Sequence, residues 1–183
     1  MRRTENAPFV VSREVKAVIV PAGQEVNLKV GQAGYITQAL GGSFTLYIDG
    51  NLFRLSGADA DAIGQEAVPA PELPPDAGEE DVKKLAWEQM RTCYDPEIPI
   101  NIVDLGLVYG CEVTANADGT RSVEVQITLT APGCGMGDIL VDDVRDKISR
   151  IPTVREVKVE LTFDPPWNQS MMTEAARLQT GMF

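Results

Sequence analysis

The 183-residue sequence predicts an α+β protein, in which a small all-β module precedes a two-layer domain built as helix, strand, strand, helix, strand. Apolar and polar side chains alternate in the first part of the chain, as they do in half-buried strands. Four prolines then stand among alanine and acidic residues, which is typical of a stiff linker. We therefore expect a β module at 1–66, a linker at 67–78, an α+β domain at 79–163 and a C-terminal tail at 164–183.

The β module is assigned from short apolar runs separated by turn residues. Strands are expected at 18–20, 26–30, 35–40, 44–48 and 52–55. Asp49-Gly50-Asn51 is a strong hairpin signal between the last two. The module contains no recognisable catalytic set of residues, so we interpret it as a packing or docking module.

The α+β domain is assigned from helical spacing and strand alternation. Glu79-Glu80-Asp81 begins a helix whose apolar stripe ends at Cys93, which we expect in the core. Strands at 105–113, containing Cys111, and 123–130 should pair across an Asn116–Gly119 turn. In the second of these, alternation places Thr128 on the polar face. A helix at 138–150 and a strand at 157–163 complete the domain, and in that helix Asp143 and Lys147 suit the helix dipole.

Composition excludes several classes of function. The net charge of −11 argues against non-specific binding to nucleic acid or to an anionic membrane. No apolar run is long enough to span a membrane, and charged residues interrupt any signal-peptide core, so we expect a cytoplasmic protein. The absence of histidine excludes Ser-His-Asp and Cys-His catalysis and imidazole-dependent zinc sites. Three widely spaced cysteines form no disulfide framework, and one chain cannot supply four thiolates to a cluster.

A cysteine stands in the glycine-rich turn between the second strand and the second helix. Pro132 cannot donate to a ladder, and the glycines allow positive φ and leave room for a partner. A helix N-terminus favours the thiolate of Cys134, which would be a metal ligand or a nucleophile. The alternative is that Cys134 is a small buried apolar residue and the turn is only structural. The supporting turn residues are Thr130, Pro132, Gly133, Gly135 and Gly137.

Three carboxylates lie in the segment between the first helix and the first strand of the domain. Asp95, Glu97 and Asp104 extend from a loop that two prolines stiffen. The loop could be a rigid connector. If it converges with the Cys134 turn at one end of the sheet, a thiolate and carboxylates would together suit iron.

The tail is unusually apolar for a terminus. Trp167, Met171 and Met172 either fold back on the domain or form a surface that binds a second copy or a client. Ser170 is expected to cap a short helix from 171 to 179, which Gly181 would close.

Three segments resemble one known family. They are Asp95-Pro-Glu-Ile-Pro-Ile-Asn-Ile-Val-Asp-Leu-Gly-Leu-Val-Tyr109, Thr128-Leu-Thr-Ala-Pro-Gly-Cys-Gly-Met-Gly137, and the tail from Phe163 to Met172 with Ala176-Arg177. Their order and spacing over residues 79–183 resemble the family of the phenylacetate-degradation protein PaaD and the iron–sulfur maturation factor SufT. The front half, with 36–44, is similar to the extension of longer SufT proteins. The resemblance implies an accessory role in assembling or delivering iron–sulfur clusters, with Cys134 as the key thiol and Asp95, Glu97 and Asp104 as motif acids.

We therefore expect a non-enzymatic maturation factor that holds an iron or iron–sulfur cluster transiently through Cys134, with no tightly bound cofactor. Its expected partners are the assembly machinery, client proteins and a second copy in a homodimer. One alternative is a thiol-dependent enzyme with Cys134 as nucleophile and Glu97 or Asp104 as base. Another is an adaptor without metal that docks through the tail.

Overall fold

Alternating side chains build the first unit, residues 1–70, as a six-stranded antiparallel sheet followed by a 3-10 helix at Gly57–Ile63. The computed structural model describes residues 6–95, 98–133 and 135–182. The strands are β1 (Ala7–Val10), β2 (Val15–Val20), β3 (Glu25–Leu28), β4 (Ala33–Leu40), β5 (Ser43–Ile48) and β6 (Asn51–Ser56), in the spatial order β1-β4-β5-β6-β2-β3.

The hairpin between β5 and β6 forms where turn chemistry predicts it. Asp49 and Gly50 have φ of 48° and 85°, and Ile48 pairs with Asn51. Positive φ at both central residues defines the turn that matches strand twist. The inward face of the sheet forms a core of its own, which includes Ile36, Leu46, Ile48 and Leu55.

The second unit, residues 71–183, is a three-stranded sheet with helices packed on it. Its elements are α1 (Glu79–Met90), β7 (Val108–Ala115), β8 (Arg121–Ile127), α2 (Gly137–Ser149), β9 (Val154–Leu161), a 3-10 helix at Gln169–Met171 and α3 (Glu174–Thr180). The strand order is β7-β8-β9, with β7 and β8 antiparallel and β8 and β9 parallel. Helix α1 packs on β7, α2 packs on β9, and the two helices contact each other. The predicted two-layer α+β domain is confirmed.

The first two strands of this sheet lie a few residues from their predicted bounds. Strand β7 begins at Val108 because Gly106, with φ of 75°, bends the chain, while Leu105 and Leu107 are buried in the preceding loop. Strand β8 ends at Ile127, before the glycine-rich turn. Cys93 and Cys111 are buried, as predicted.

The tail helix starts later than its sequence suggested. Thr173 caps α3 by accepting a hydrogen bond from the Ala176 N–H at 3.2 Å, so the expected cap at Ser170 is wrong. Ser170 instead lies in the 3-10 helix capped by Asn168. The closing glycine is confirmed, because Gly181 has φ of 69° at the end of α3.

The chain divides between Ala70 and Pro71, inside the proline-rich segment, and the finer domain bounds stay predictions. Across the residues described, no helix is both long and apolar enough to cross a membrane.

Candidate functional site

The acidic segment after α1 is a narrow loop with a hydrogen-bonded base. The Ile102 N–H donates to the Cys93 carbonyl at 2.9 Å, and the Asp95 N–H donates to the Ile100 carbonyl at 3.2 Å. We call residues 93–107 the acid loop. The predicted ligand Glu97 lies outside the described residues.

Asp95 is 6% exposed and holds the loop together. Its Oδ1 accepts a hydrogen bond from the Ile98 N–H, three residues on, at 2.8 Å. A carboxylate that accepts a backbone N–H two or three residues on stabilises a turn in the way that a backbone carbonyl would. The structure therefore gives Asp95 a role in the shape of the loop.

Asp104 has both carboxylate oxygens engaged near the base of the loop. Oδ1 lies 3.0 Å from Arg91 Nη1, and Oδ2 accepts a hydrogen bond from Asn101 Nδ2 at 2.7 Å. Asn101 Oδ1 in turn accepts from the Asp104 N–H at 2.9 Å. A metal ion would have to compete with these donors for Asp104.

The acid loop and the glycine-rich turn emerge at the same end of the sheet. Strand β7 starts where the antiparallel strand β8 ends, and the Thr128 N–H donates to the Leu107 carbonyl at 2.8 Å. Antiparallel pairing thus brings together two segments that are separated in sequence. Cys134 itself lies outside the described residues.

The glycines of the turn have different surroundings. Gly133 has φ of 80°, and a Cβ added to Gly133 or Gly135 would meet no atom within 4 Å. At Gly137 a Cβ would lie 3.0 Å from Leu129 Cδ1 and 3.4 Å from Leu161 Cδ2. Pro132, Gly133 and Gly135 are exposed, so position 134 is flanked by open backbone, whereas Gly137 lets α2 begin close to the sheet.

Thr128 is the polar residue at this end of the sheet that the sequence misplaced. Alternation puts it on the polar face, yet it is 0% exposed and its hydroxyl has no hydrogen-bond partner among the residues described. An unpaired buried hydroxyl is uncommon because it loses its hydrogen bonds to water. Only its buried environment distinguishes it from the exposed threonines of the sheet.

The tail lies against the acid loop. Trp167 Nε1 donates to the Leu105 carbonyl at 2.7 Å, the Thr173 N–H donates to the Asp104 carbonyl at 2.9 Å, and Tyr109 donates to the Pro165 carbonyl at 2.7 Å. These contacts match the alternative in which the tail folds back. Met172 is 3% exposed and packs in the core, which leaves little of it for a partner. Partner binding by Trp167 and Met171, which are half-buried, stays a prediction.

Metal binding by the described residues has little support from the geometry. Within ranges 6–95, 98–133 and 135–182, no three Cys, Asp or Glu side chains are grouped so as to hold an ion. Burial raises the pKa of the Cys111 thiol to about 11, which disfavours the thiolate that a metal would need. The predicted ligand set of Cys134, Asp95, Glu97 and Asp104 therefore stays a prediction.

The similarity of this chain to known proteins lies in the second unit. Residues 83–161 match the family model described as an iron-sulfur cluster assembly protein. The chain is 48% identical over 103 residues to an Fe-S protein maturation auxiliary factor of Porphyromonas gingivalis, covering 56% of this chain and 90% of that one. It is 38% identical over 88 residues to the Fe-S protein maturation auxiliary factor SufT of Staphylococcus aureus, covering 48% and 96%. A crystal structure of a domain of unknown function from Bacillus anthracis aligns with a TM-score of 0.50 and 31% identity, covering 57% and 96%.

Proposed function

The chain belongs to the SufT-type family of Fe-S protein maturation auxiliary factors, and we propose that Cys134 is a transient ligand for the iron or iron–sulfur cluster that it delivers. Iron or the cluster is the cargo and not a resident cofactor. The named relatives are auxiliary factors, in keeping with a carrier or accessory role without turnover of its own.

The observation that carries the proposal is the open backbone on both sides of position 134, at the start of α2. Pro132, Gly133 and Gly135 are exposed, and α2 runs for 13 residues from Gly137. The N-terminus of such a helix stabilises negative charge nearby and so favours the thiolate. A thiolate in an exposed turn can reach a bulky cargo and also release it.

Few residues are available as further ligands for the cargo besides Cys134. A small number of ligands suits a carrier, because a carrier must release what it binds. Asp95 and Asp104 hold the acid loop in shape through Ile98, Arg91 and Asn101. We therefore assign Glu97 as the motif acid best able to join Cys134, with Asp95 and Asp104 as secondary candidates. A second subunit of a homodimer would add another thiolate.

Complementation in cells tests the role of Cys134. A strain lacking the gene receives the wild type, Cys134→Ser or the control Cys111→Ala, which also removes one thiol. The activity of iron–sulfur enzymes is divided by the amount of each enzyme, and the abundance of each variant is checked. We expect the wild type and Cys111→Ala to restore activity per molecule and Cys134→Ser to fail at equal abundance.

Restoration by Cys134→Ser would exclude the thiolate mechanism and leave the adaptor that docks through its tail. No loss of enzyme activity on deletion, under iron limitation and oxidative stress, would argue against a maturation role altogether.

A further inference from the structure

A buried ion pair joins α2 to the root of the acid loop. Asp143 and Lys147 lie one turn apart on α2 and are each 7% exposed. Lys147 Nζ lies 3.4 Å from both carboxylate oxygens of Asp143 and donates to the Thr92 carbonyl at 2.7 Å. Thr92 follows the end of α1 and directly precedes Cys93, whose carbonyl closes the base of the loop.

Stability alone does not explain this pair. Removing two charges from water is costly, and apolar residues of similar volume are often as stable or more stable in such places. What a buried ammonium adds is a geometric requirement, since it must keep its acceptors within hydrogen-bond distance. If α2 slid or rotated against α1, the Lys147 ammonium would be separated from the Thr92 carbonyl that accepts its hydrogen bond. The pair therefore holds the two helices in one register.

The same helix carries the Cys134 turn at its other end. Helix α2 starts at Gly137, three residues after Cys134. Lys147 is ten residues further along, or about 15 Å at the rise of an α-helix. Because a helix of this length moves as a rigid rod, fixing Lys147 against Thr92 also fixes the start of α2 relative to the acid loop.

We propose that Asp143 and Lys147 form a latch that sets the position of the Cys134 turn relative to the acid loop. This inference rests on the proposed function, because the latch residues act through Cys134 and the loop as positioning residues and do not touch the cargo. The latch holds the Cys134 turn and the acid loop, which are separate in the sequence. Both are needed for a site that combines a thiolate with carboxylates.

A paired substitution separates positioning from stability. Asp143→Leu with Lys147→Met replaces the latch by apolar side chains of similar size. Glu124→Leu with Lys158→Met is the matched control, since Lys158 Nζ lies 3.1 Å from Glu124 Oε1 on the exposed face of the sheet. Three quantities are measured in the full chain: the unfolding equilibrium in urea, amide hydrogen exchange, and restoration of iron–sulfur enzyme activity in the deletion strain.

We expect the latch variant to unfold at the same or a higher urea concentration than the wild type. Exchange at the amides of Ile100 and Ile102, in the acid loop, should nevertheless become at least tenfold faster, and restored enzyme activity should fall at least threefold. The control should leave exchange in the loop and restored activity unchanged. If the latch variant does not fold, Asp143→Asn with Lys147→Gln keeps polar groups in place and is judged by the same criteria.

Unchanged exchange in the loop would overturn the latch, whatever happens to activity. Faster exchange with full activity, in a strain where Cys134→Ser is inactive, would overturn its positioning role. If Cys134→Ser is itself active, the proposed function fails, and loop exchange alone then decides whether the latch holds the loop.

Discussion

At the scale of single residues, buried polar groups are the most informative feature of the second unit. Thr128 has a hydroxyl that is out of contact with water and has no partner within the described chain. Such a group costs about 1–3 kcal/mol relative to an apolar group of the same shape. Unpaired buried groups of this kind are rare in folded proteins and are explained by strain, a catalytic role, or a bound water or ion.

Thr128→Val should therefore raise the free energy of unfolding by about 1 kcal/mol, because it removes the unpaired hydroxyl and keeps the shape of the side chain. Urea unfolding followed by tryptophan fluorescence measures this. Thr114→Val, on the exposed part of β7, is the control and should change stability little. A loss of stability in Thr128→Val would mean that the hydroxyl has a partner in the folded protein.

The buried thiol of Cys111 makes stability depend on alkaline pH. Burial raises its pKa from 9.0 to about 11, so between these values the unfolded chain loses the proton while the folded chain keeps it. This stability is present below pH 9.0 and is lost as the pH rises towards 11. Relative to Cys111→Ala, the wild type should lose about 2–3 kcal/mol over this range. Chemical denaturation of both proteins at pH 8, 9, 10 and 11 measures the difference, and parallel curves would contradict the prediction.

At the scale of elements, the tail and the acid loop depend on each other. Gly106 has φ of 75°, and a Cβ there would run into the backbone carbonyl of Met171. Together with the hydrogen bonds from Trp167 and Thr173, this close approach seats the tail on the loop. The glycine is required for two separate reasons, its backbone conformation and its lack of a side chain.

Gly106→Ala should destabilise the second unit by about 1–3 kcal/mol more than Gly119→Ala. Gly119 is a matched control because it has φ of 82° but open space where a Cβ would be. Urea unfolding gives the two free energies, and the emission of Trp167, measured with Trp87→Phe in both variants, reports whether the tail has moved into water. Equal losses in the two variants would show that the contact with Met171 contributes nothing.

Much of the order of the elements was predictable because its signals are local. Helical spacing in α1 and α2 and turn chemistry at Asp49 and Gly50 need no distant partner. Strand β1 was not predicted, because four residues with a proline are too few to show alternation, and it forms by pairing with β4. The starts of β7 and α3 differ from the predicted ones because the bend at Gly106 and the cap at Thr173 set them.

The burial of several polar residues near the candidate site was not predictable from the sequence. Asp143 and Lys147 suited the helix dipole, and Thr128 suited a polar strand face, yet all three are buried. Periodicity records which face of an element is apolar and does not record what packs over its polar positions. The convergence of the acid loop and the turn depended on the antiparallel pairing of β7 and β8, which joins residues distant in sequence.

At the scale of the whole molecule, charge is divided unevenly. Residues 71–183 contain 20 acidic and 10 basic residues, and residues 1–70 contain 7 acidic and 6 basic. Most of the net charge of −11 therefore belongs to the second unit. Self-repulsion of this kind weakens a folded unit and is screened by salt.

Added NaCl should therefore stabilise the second unit. Both tryptophans of the chain, Trp87 and Trp167, lie in that unit, so their fluorescence reports its unfolding alone. Between about 10 and 150 mM NaCl, where the Debye length shortens from about 30 to 8 Å, we expect a gain on the order of 1 kcal/mol. A midpoint that does not move, or falls, would mean that attractive ion pairs outweigh the repulsion.

The seating of the tail on the acid loop also sets an order of events during synthesis. The loop leaves the ribosome before the residues that hold it, because Leu105 precedes Trp167 and Asp104 precedes Thr173 by more than sixty positions. At about 5–20 residues per second, a nascent chain spends roughly 3–14 s with the loop made and its tail not yet made. Completion of the acid loop by its tail contacts is thus delayed relative to synthesis of the β module.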